Sequence, residues 1–272
     1  MINAESDIPD DNPLTIEQAI ANLQSDDLGL RVYAAWWLGR FRVNVPEAID
    51  LLIIALSDEA DRTEAGGYPL RRNAARALGK LGDCRAVPAL IQSLDCDDFY
   101  VREAAAQALE ILGDHTCVPK LVELIKNSNS KTSADIETEE PFDAFLEALG
   151  SLGAVVAIPY ILPFLDHPIP RVQYAAARAM YQLSEPDLAE QYGERLVSAL
   201  NHKDLQLRRT VLTDLGAIGY LGAAEAISNT MAENSLKLIS LKGLLEKQIV
   251  CATPPDLTDG AIKVMTLMDE LL

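Results

Sequence analysis

LRRNAARALGKLGDCRAVPAL, running from Leu70 to Leu90, returns as VREAAAQALEILGDHTCVPKL from Val101 to Leu121. Both stretches follow the frame V/L-R-x-x-A-A-x-A-L-x-x-L-G and then D-x-x-x-V-P-x-L. Counted from the arginine slot, six copies begin at Arg31, Arg71, Arg102, Phe142, Gln173 and Arg208, at intervals of 40, 31, 40, 31 and 35 residues. Self-similarity at this period marks stacked supersecondary units, so an all-α solenoid is expected. Within one copy, Val101, Ala104, Ala105, Ala108, Leu109 and Leu112 fall at i, i+3, i+4, i+7, i+8 and i+11, the buried stripe of one helix. Gly82, Gly113, Gly153 and Gly219 close that helix, where a left-handed residue costs least without a Cβ. Pro88, Pro119 and Pro159 stand near the start of the next, where a missing N–H matters little. Each unit is therefore a helix pair, and stacked pairs bury one core and leave one long concave face.

Composition agrees. With 272 residues and 49% hydrophobic content, a large core can form without separate globular domains. The expected organisation is an acidic segment over 1–13 without fixed structure and a solenoid over 14–252. A polar insertion loop, NSNSKTSADIETEEP at 127–141, interrupts the solenoid. Residues 253–272 read as a linker and a short helix, from about Ala261 to Leu271, that caps the stack or docks a partner. No apolar run reaches the roughly 18 residues of a membrane span. The first residues, MINAESDIPDDNP, hold no signal-like apolar stretch, so a cytoplasmic location is expected. Cys84, Cys96, Cys117 and Cys251 show no paired spacing and are expected to stay reduced.

The formal net charge of −18 argues against nucleic acid as a ligand, because phosphate neutralisation needs a basic face. Yet residues 31–85 hold nine Lys or Arg against seven acids, giving +2 there and −20 elsewhere. A basic island in an acidic solenoid suits a small anionic ligand. The alternative is that Arg31, Arg71 and Arg102 form a structural ladder with Asp83 and Asp114.

Register sorts the columns. Trp36, Arg76, Gln107, Glu147 and Arg178 align, as do Trp37, Ala77, Ala108, Ala148 and Ala179. The second column is apolar and expected to be buried, with Trp37 filling the open end of the stack. Trp36 falls in the polar column and is expected on the surface, beside arginines, where it suits either a ligand or a partner. The loop EAGGYP, Glu64 to Pro69, can bend sharply and present Tyr68 at the groove edge. Catalytic signals are thin. There is no nucleophile elbow and no phosphate loop, His115, His167 and His202 are scattered, and Cys84 has no paired base. No metal site is expected and no catalytic residue is assigned.

Several strings go further than the frame. RVYAAWWLGRFRV (Arg31 to Val43), DRTEAGGYPLRRNAARALGKLGD (Asp61 to Asp83), DFYVREAAAQALEILGD (Asp98 to Asp114), RVQYAAARAMYQL (Arg171 to Leu183) and DLQLRRTVLTDLGAIGYL (Asp204 to Leu221) resemble the E-type subunits of the E/F bilin lyases. The likeness runs from about Leu14 to Lys247, and AAWWLGR and EAGGYPLRRNAARALGKLGD are its most specific parts. It implies a right-handed α-solenoid of about five to six HEAT-like helix pairs. It also implies a heterodimer with an F-type lyase subunit that attaches phycocyanobilin, the substrate, by a thioether to a cysteine of the phycocyanin α subunit. No permanently bound cofactor is implied. A linear tetrapyrrole carries two propionates and conjugated rings, which suit guanidinium forks and an exposed indole. Trp36, Tyr33, Arg40, Tyr68, Arg72 and Arg76 are the candidate bilin-binding residues. Three readings stay open beside this one: the E subunit of the isomerising phycoerythrocyanin α lyase, a non-catalytic repeat scaffold, and a phycobilisome-degradation factor. The chain itself has no Cys-Gln-Gly segment of the kind tied to isomerisation.

Overall fold

The computed structural model describes residues 14–128, 140–251 and 257–272, and every regular element among them is helical. Segment 1–13, most of the 127–141 insertion and the start of the 253–272 linker lie outside the described residues. The chain gathers into two compact units that divide after Leu112, inside the stretch 14–252 expected as one solenoid.

In the first unit, α1 (Ile16–Leu23), α3 (Pro46–Ala55) and α5 (Val87–Ser93) each pair with the helix that follows, α2 (Leu28–Arg40), α4 (Pro69–Leu81) and α6 (Phe99–Leu112). The second helices α2, α4 and α6 pack side by side as one layer. Local chemistry sets the starts. Thr15 and Gln18 form a reciprocal capping box on α1, and Asp27 Oδ1 accepts from the Gly29 and Leu30 N–H groups at 2.8 and 3.2 Å. Gly82 ends α4 at φ 75°, the left-handed conformation expected there. Close approach within the layer depends on a column the repeat frame did not single out. A Cβ on Gly39 would lie 2.7 Å from Ala77 Cα, and one on Gly79 would lie 2.8 Å from Ala108 Cα. These glycines let neighbouring backbones meet.

The arginine slot has a structural task, but not with the partners expected. Asp83 and Asp114 cap short 3-10 turns, accepting from the Arg85 and Thr116 N–H groups at 2.9 and 2.8 Å. The slot residues turn instead toward the end of the first helix of their own pair, and Arg31 also reaches the end of α3 in the next pair. Arg31 reaches the Leu23 carbonyl at 3.2 Å and Asp58 at 2.5 Å, Arg71 the Asp58 carbonyl at 2.6 Å, and Arg102 the Cys96 carbonyl at 2.6 Å. Those carbonyls lie at or just past a helix C-terminus, where backbone acceptors lack intrahelical donors.

The second unit repeats the scheme. The paired first helices are α7 (Val118–Ser128), α9 (Ile158–Ile161, continued by a 3-10 turn Leu162–Asp166), α11 (Pro186–Ala199) and α13 (Ala224–Asn229). The facing layer is α8 (Phe142–Ser151), α10 (Pro170–Leu183), α12 (Leu205–Ile218) and α14 (Asn234–Cys251). Gln173 and Arg208 again take the carbonyl six residues back, His167 at 2.5 Å and His202 at 2.6 Å. Where Phe142 replaces the arginine, its ring packs with Phe145, Phe164 and His167 at centroid distances of 6.4, 5.1 and 6.0 Å. Helix α14 extends the layer beyond the six sequence copies, with Gly216 against Ser240. Between α8, α10 and α12, the largely buried Arg178 bridges Glu147 at 3.3 Å and Asp214 at 3.1 Å. The last helix, α15 (Asp259–Asp269), starts two residues earlier than expected and packs on α13 and α14 through Val264, Leu267 and Met268.

Candidate functional site

The candidate site lies on the first unit, where α2 and α4 meet. Val32, Tyr33, Trp36 and Arg40 sit at i, i+1, i+4 and i+8 on α2, which brings them to one face of the helix. Trp36 and Tyr33 are 45% and 49% exposed, although an indole and a phenol of this size usually find cover, and their ring centroids are 5.5 Å apart. They wall a groove of about 420 Å³ that also takes in Leu28, Val32, Pro69, Asn73 and Asp61. Asn73 donates to the Val32 carbonyl at 3.1 Å, fixing α4 against α2 beneath the rings.

Asp61 is the residue that sequence reasoning missed. It sits in the loop before α4, is 7% exposed, and accepts a short hydrogen bond from the Leu70 N–H. Burial pushes its carboxyl above the usual carboxylate range, and the nearby Asp58 adds to the rise. The Leu70 N–H, Arg31 and Arg72 pull the other way. The available signal was the acid-rich loop SDEADR leading into the basic island, where one carboxyl had to be enclosed for α4 to begin.

The predicted site residues divide into two groups. Tyr33, Trp36 and Arg40 share one face, and Arg40 is exposed with no hydrogen bond or ion pair to the described residues. Arg76, on α4, is 46% exposed and stands 3.8 Å from Glu103, an open pair that holds it weakly. Arg72 is half-buried with its guanidinium 5.9 Å from the Tyr100 ring centroid. Tyr68 corrects the expectation. It is 7% exposed, turned inward under Arg71 at 4.0 Å, and presents no ring at the groove edge. A cation over its face and the Asp98 carboxylate on its N–H at 2.7 Å hold it there. Trp37 is half-buried, stacked on Phe41 at 4.8 Å, and fills the end of the layer only in part.

Much of the basic island is consumed by structure. Arg31 pairs with Asp58, Arg62 with Asp97, and Arg85 with Asp50 and Asp83. Arg40, Lys80 and the loosely held Arg76 remain as an exposed cationic rim. Cys117 is not set up as a nucleophile: burial pushes its thiol up to about 11, and it donates to the Asp114 carbonyl. No three potential metal ligands gather among the described residues. The arrangement is thus an aromatic wall, a cationic rim and one enclosed carboxyl, suited to a flat conjugated molecule that carries negative groups.

Stacked helix pairs with such a groove define a class, the helical-repeat proteins. Residues 63–137 match the HEAT repeats, and residues 30–58 match the PBS lyase HEAT-like repeat. Over 271 residues and the full length of both chains, the sequence is 85% identical to the phycocyanobilin lyase subunit alpha of Pseudanabaena tenuis (strain PCC 7409). One chain in the structure of the CpcE–CpcF complex of phycocyanin lyase from Nostoc sp. PCC7120 superposes with a TM-score of 0.85, at 59% identity and full coverage of both chains. The chain belongs to the phycocyanobilin lyase alpha subunits. The bilin biosynthesis protein PecE of Nostoc sp. (strain PCC 7120) is more distant, 44% identical over 237 residues, 87% of this chain and 88% of that one. No helix among the described residues is long and apolar enough to cross a membrane.

Proposed function

We propose that this chain is one half of a two-subunit lyase that joins phycocyanobilin by a thioether to a cysteine of the phycocyanin α subunit. The observation that carries the assignment is the full-length likeness to the Nostoc chain seen in complex with its F partner. The lower identity to PecE weighs against the isomerising variant. The bilin lies in the α2–α4 groove, its rings against Trp36 and Tyr33 and its propionates toward Arg40 and Arg76. The acceptor thiol belongs to the substrate protein, so the lyase supplies position and protons and needs neither a nucleophile nor a resident cofactor. Action on a phycobilisome subunit before assembly places the protein in the cytoplasm.

Co-expression tests this directly. The chain, an F-type partner, the phycocyanin α subunit and a bilin source are expected to give a denatured α subunit with zinc-enhanced fluorescence, and omission of the partner is expected to abolish it. Correct thioether attachment by this chain alone would refute the two-subunit reading.

The groove has its own test. Trp36→Ala removes an exposed stacking surface and is expected to weaken bilin association by about 1–3 kcal/mol with unchanged helix content. Trp37→Ala, half-buried on Phe41, is expected to cost about 1–3 kcal/mol of fold stability with little effect on binding. Equal thermal losses in the two variants, with normal bilin transfer by folded Trp36→Ala, would remove the groove assignment.

A further inference from the structure

We propose that Asp61 is the proton donor of the groove, passing a proton to a ring nitrogen of the bound bilin and so activating its ethylidene carbon toward the acceptor thiol. This rests on reading the α2–α4 groove as the bilin site. Asp61 lines that groove beside Trp36 and Tyr33 and is 7% exposed, so a ligand in the groove would cover a carboxyl already largely screened from water. Oδ2 is anchored by the Leu70 N–H, and no hydrogen bond to Oδ1 is made among the described residues. The anchored oxygen fixes the direction of the free one.

The groups that face this carboxyl are few. Asp58 shares its loop and favours a retained proton, as does burial, while Arg31 of α2 and Arg72 of α4 oppose it. The Tyr33 phenol stands on the groove wall. The balance is a carboxyl held above its ordinary range but still able to give its proton to a basic nitrogen, which a general acid needs.

The step balances without oxidation. The Asp61 O–H breaks and a bilin N–H forms, leaving a carboxylate beside a cationic conjugated system. The thiol sulfur then bonds to the ethylidene carbon, and the π electrons of that double bond flow into the cation and neutralise it. The thiol proton returns to the Asp61 carboxylate, so the net change is the thiol sulfur bonded to the ethylidene carbon and one proton gained on the bilin nitrogen.

Asp61→Asn keeps an acceptor for the Leu70 N–H and loses the proton. It is to be compared with the unaltered chain, each in complex with the F-type partner and loaded with phycocyanobilin, by absorption of the bound bilin across pH and by single-turnover transfer to the α subunit. The expected result is transfer slowed about 10²–10⁴-fold. The pH at which the bound bilin loses its protonated band is expected to fall by about 1–3 units, because the counter-charge is gone. Arg72→Gln provides a second readout should Asp61→Asn fold poorly: removing that cation raises the carboxyl further, so the alkaline limb of the transfer rate should move to higher pH. Unchanged titration and rate in Asp61→Asn, or an unmoved limb in Arg72→Gln, overturns the proposal. If Trp36→Ala weakens bilin binding while Asp61→Asn behaves normally, the groove stands and the proton donor is elsewhere. If neither variant changes binding, titration or transfer, both the proton donor and the groove reading fall.

Discussion

Arg178→Ala is expected to destabilise the second unit by about 3–5 kcal/mol, because it strips a cation from between a buried carboxylate, Asp214, and a largely covered one, Glu147. The Arg178, Glu147 and Asp214 side chains are 11%, 20% and 4% exposed, and the guanidinium lies within 3.3 Å of both acids. Without it Asp214 must be buried charged or take up a proton, and either route costs several kcal/mol. Urea unfolding is the measurement, with a thermal midpoint lower by roughly 10 °C as a second sign. Arg178→Met combined with Glu147→Gln and Asp214→Asn should recover much of the loss, since a buried triad replaced as a whole is often neutral. A loss below about 1 kcal/mol in Arg178→Ala would mean the triad behaves like an exposed surface pair.

Phe145→Ala is expected to cost a similar 3–5 kcal/mol, for a different reason. Phe145 is fully buried on α8 and sits edge-on to Phe142, in the repeat where an aromatic cluster stands in place of the arginine clasp. Truncation leaves a cavity that the rigid helix layer cannot close, because α8 meets α10 backbone to backbone at Gly150 and Ala179. Phe145→Leu keeps most of the volume and should lose less than half as much. Equal losses for the two variants would show that ring geometry, not volume, is what the site needs.

How much of this was legible beforehand follows from what repeats. The helix frame, its left-handed glycine ends and the proline starts recur at fixed offsets, so the pairs could be read directly from LRRNAARALGKLGDCRAVPAL. The exposure of Trp36 was legible only from its neighbour Arg76, because the same column carries the largely buried Glu147 and Arg178 in the second unit. Features that occur once were not legible. Tyr68 turns inward because Arg71 and Asp98 hold it, and neither contact has a counterpart at a fixed repeat offset. Asp61 is enclosed by a loop unique to the first connection. Helix α14 escaped notice because its arginine-slot signature has decayed, although Gly216 against Ser240 preserves the close packing. The partners of Arg31, Arg71 and Arg102 were misread because Asp83 and Asp114 recur as regularly as the arginines do, and recurrence alone cannot tell a cap from a salt bridge.

The arginine slot clasps the carbonyl end of its own pair, and Arg31, Arg71 and Arg208 reach the next pair as well, at Asp58, the Cys96 sulfur and the Met231 carbonyl. Each of these clasps therefore ties a repeat shut and also ties it to its neighbour, and what is free to change is the length of chain between the two helices of a pair. That accounts for intervals as different as 31 and 40 residues in one chain: the added length at 56–68 falls inside the α3–α4 pair, and Arg71 still clasps a carbonyl 13 residues back where Arg102 clasps one 6 back. A loop such as EAGGYP can then be lengthened, recruited to enclose a carboxyl, and retuned for a new ligand while the two helices it joins stay clasped.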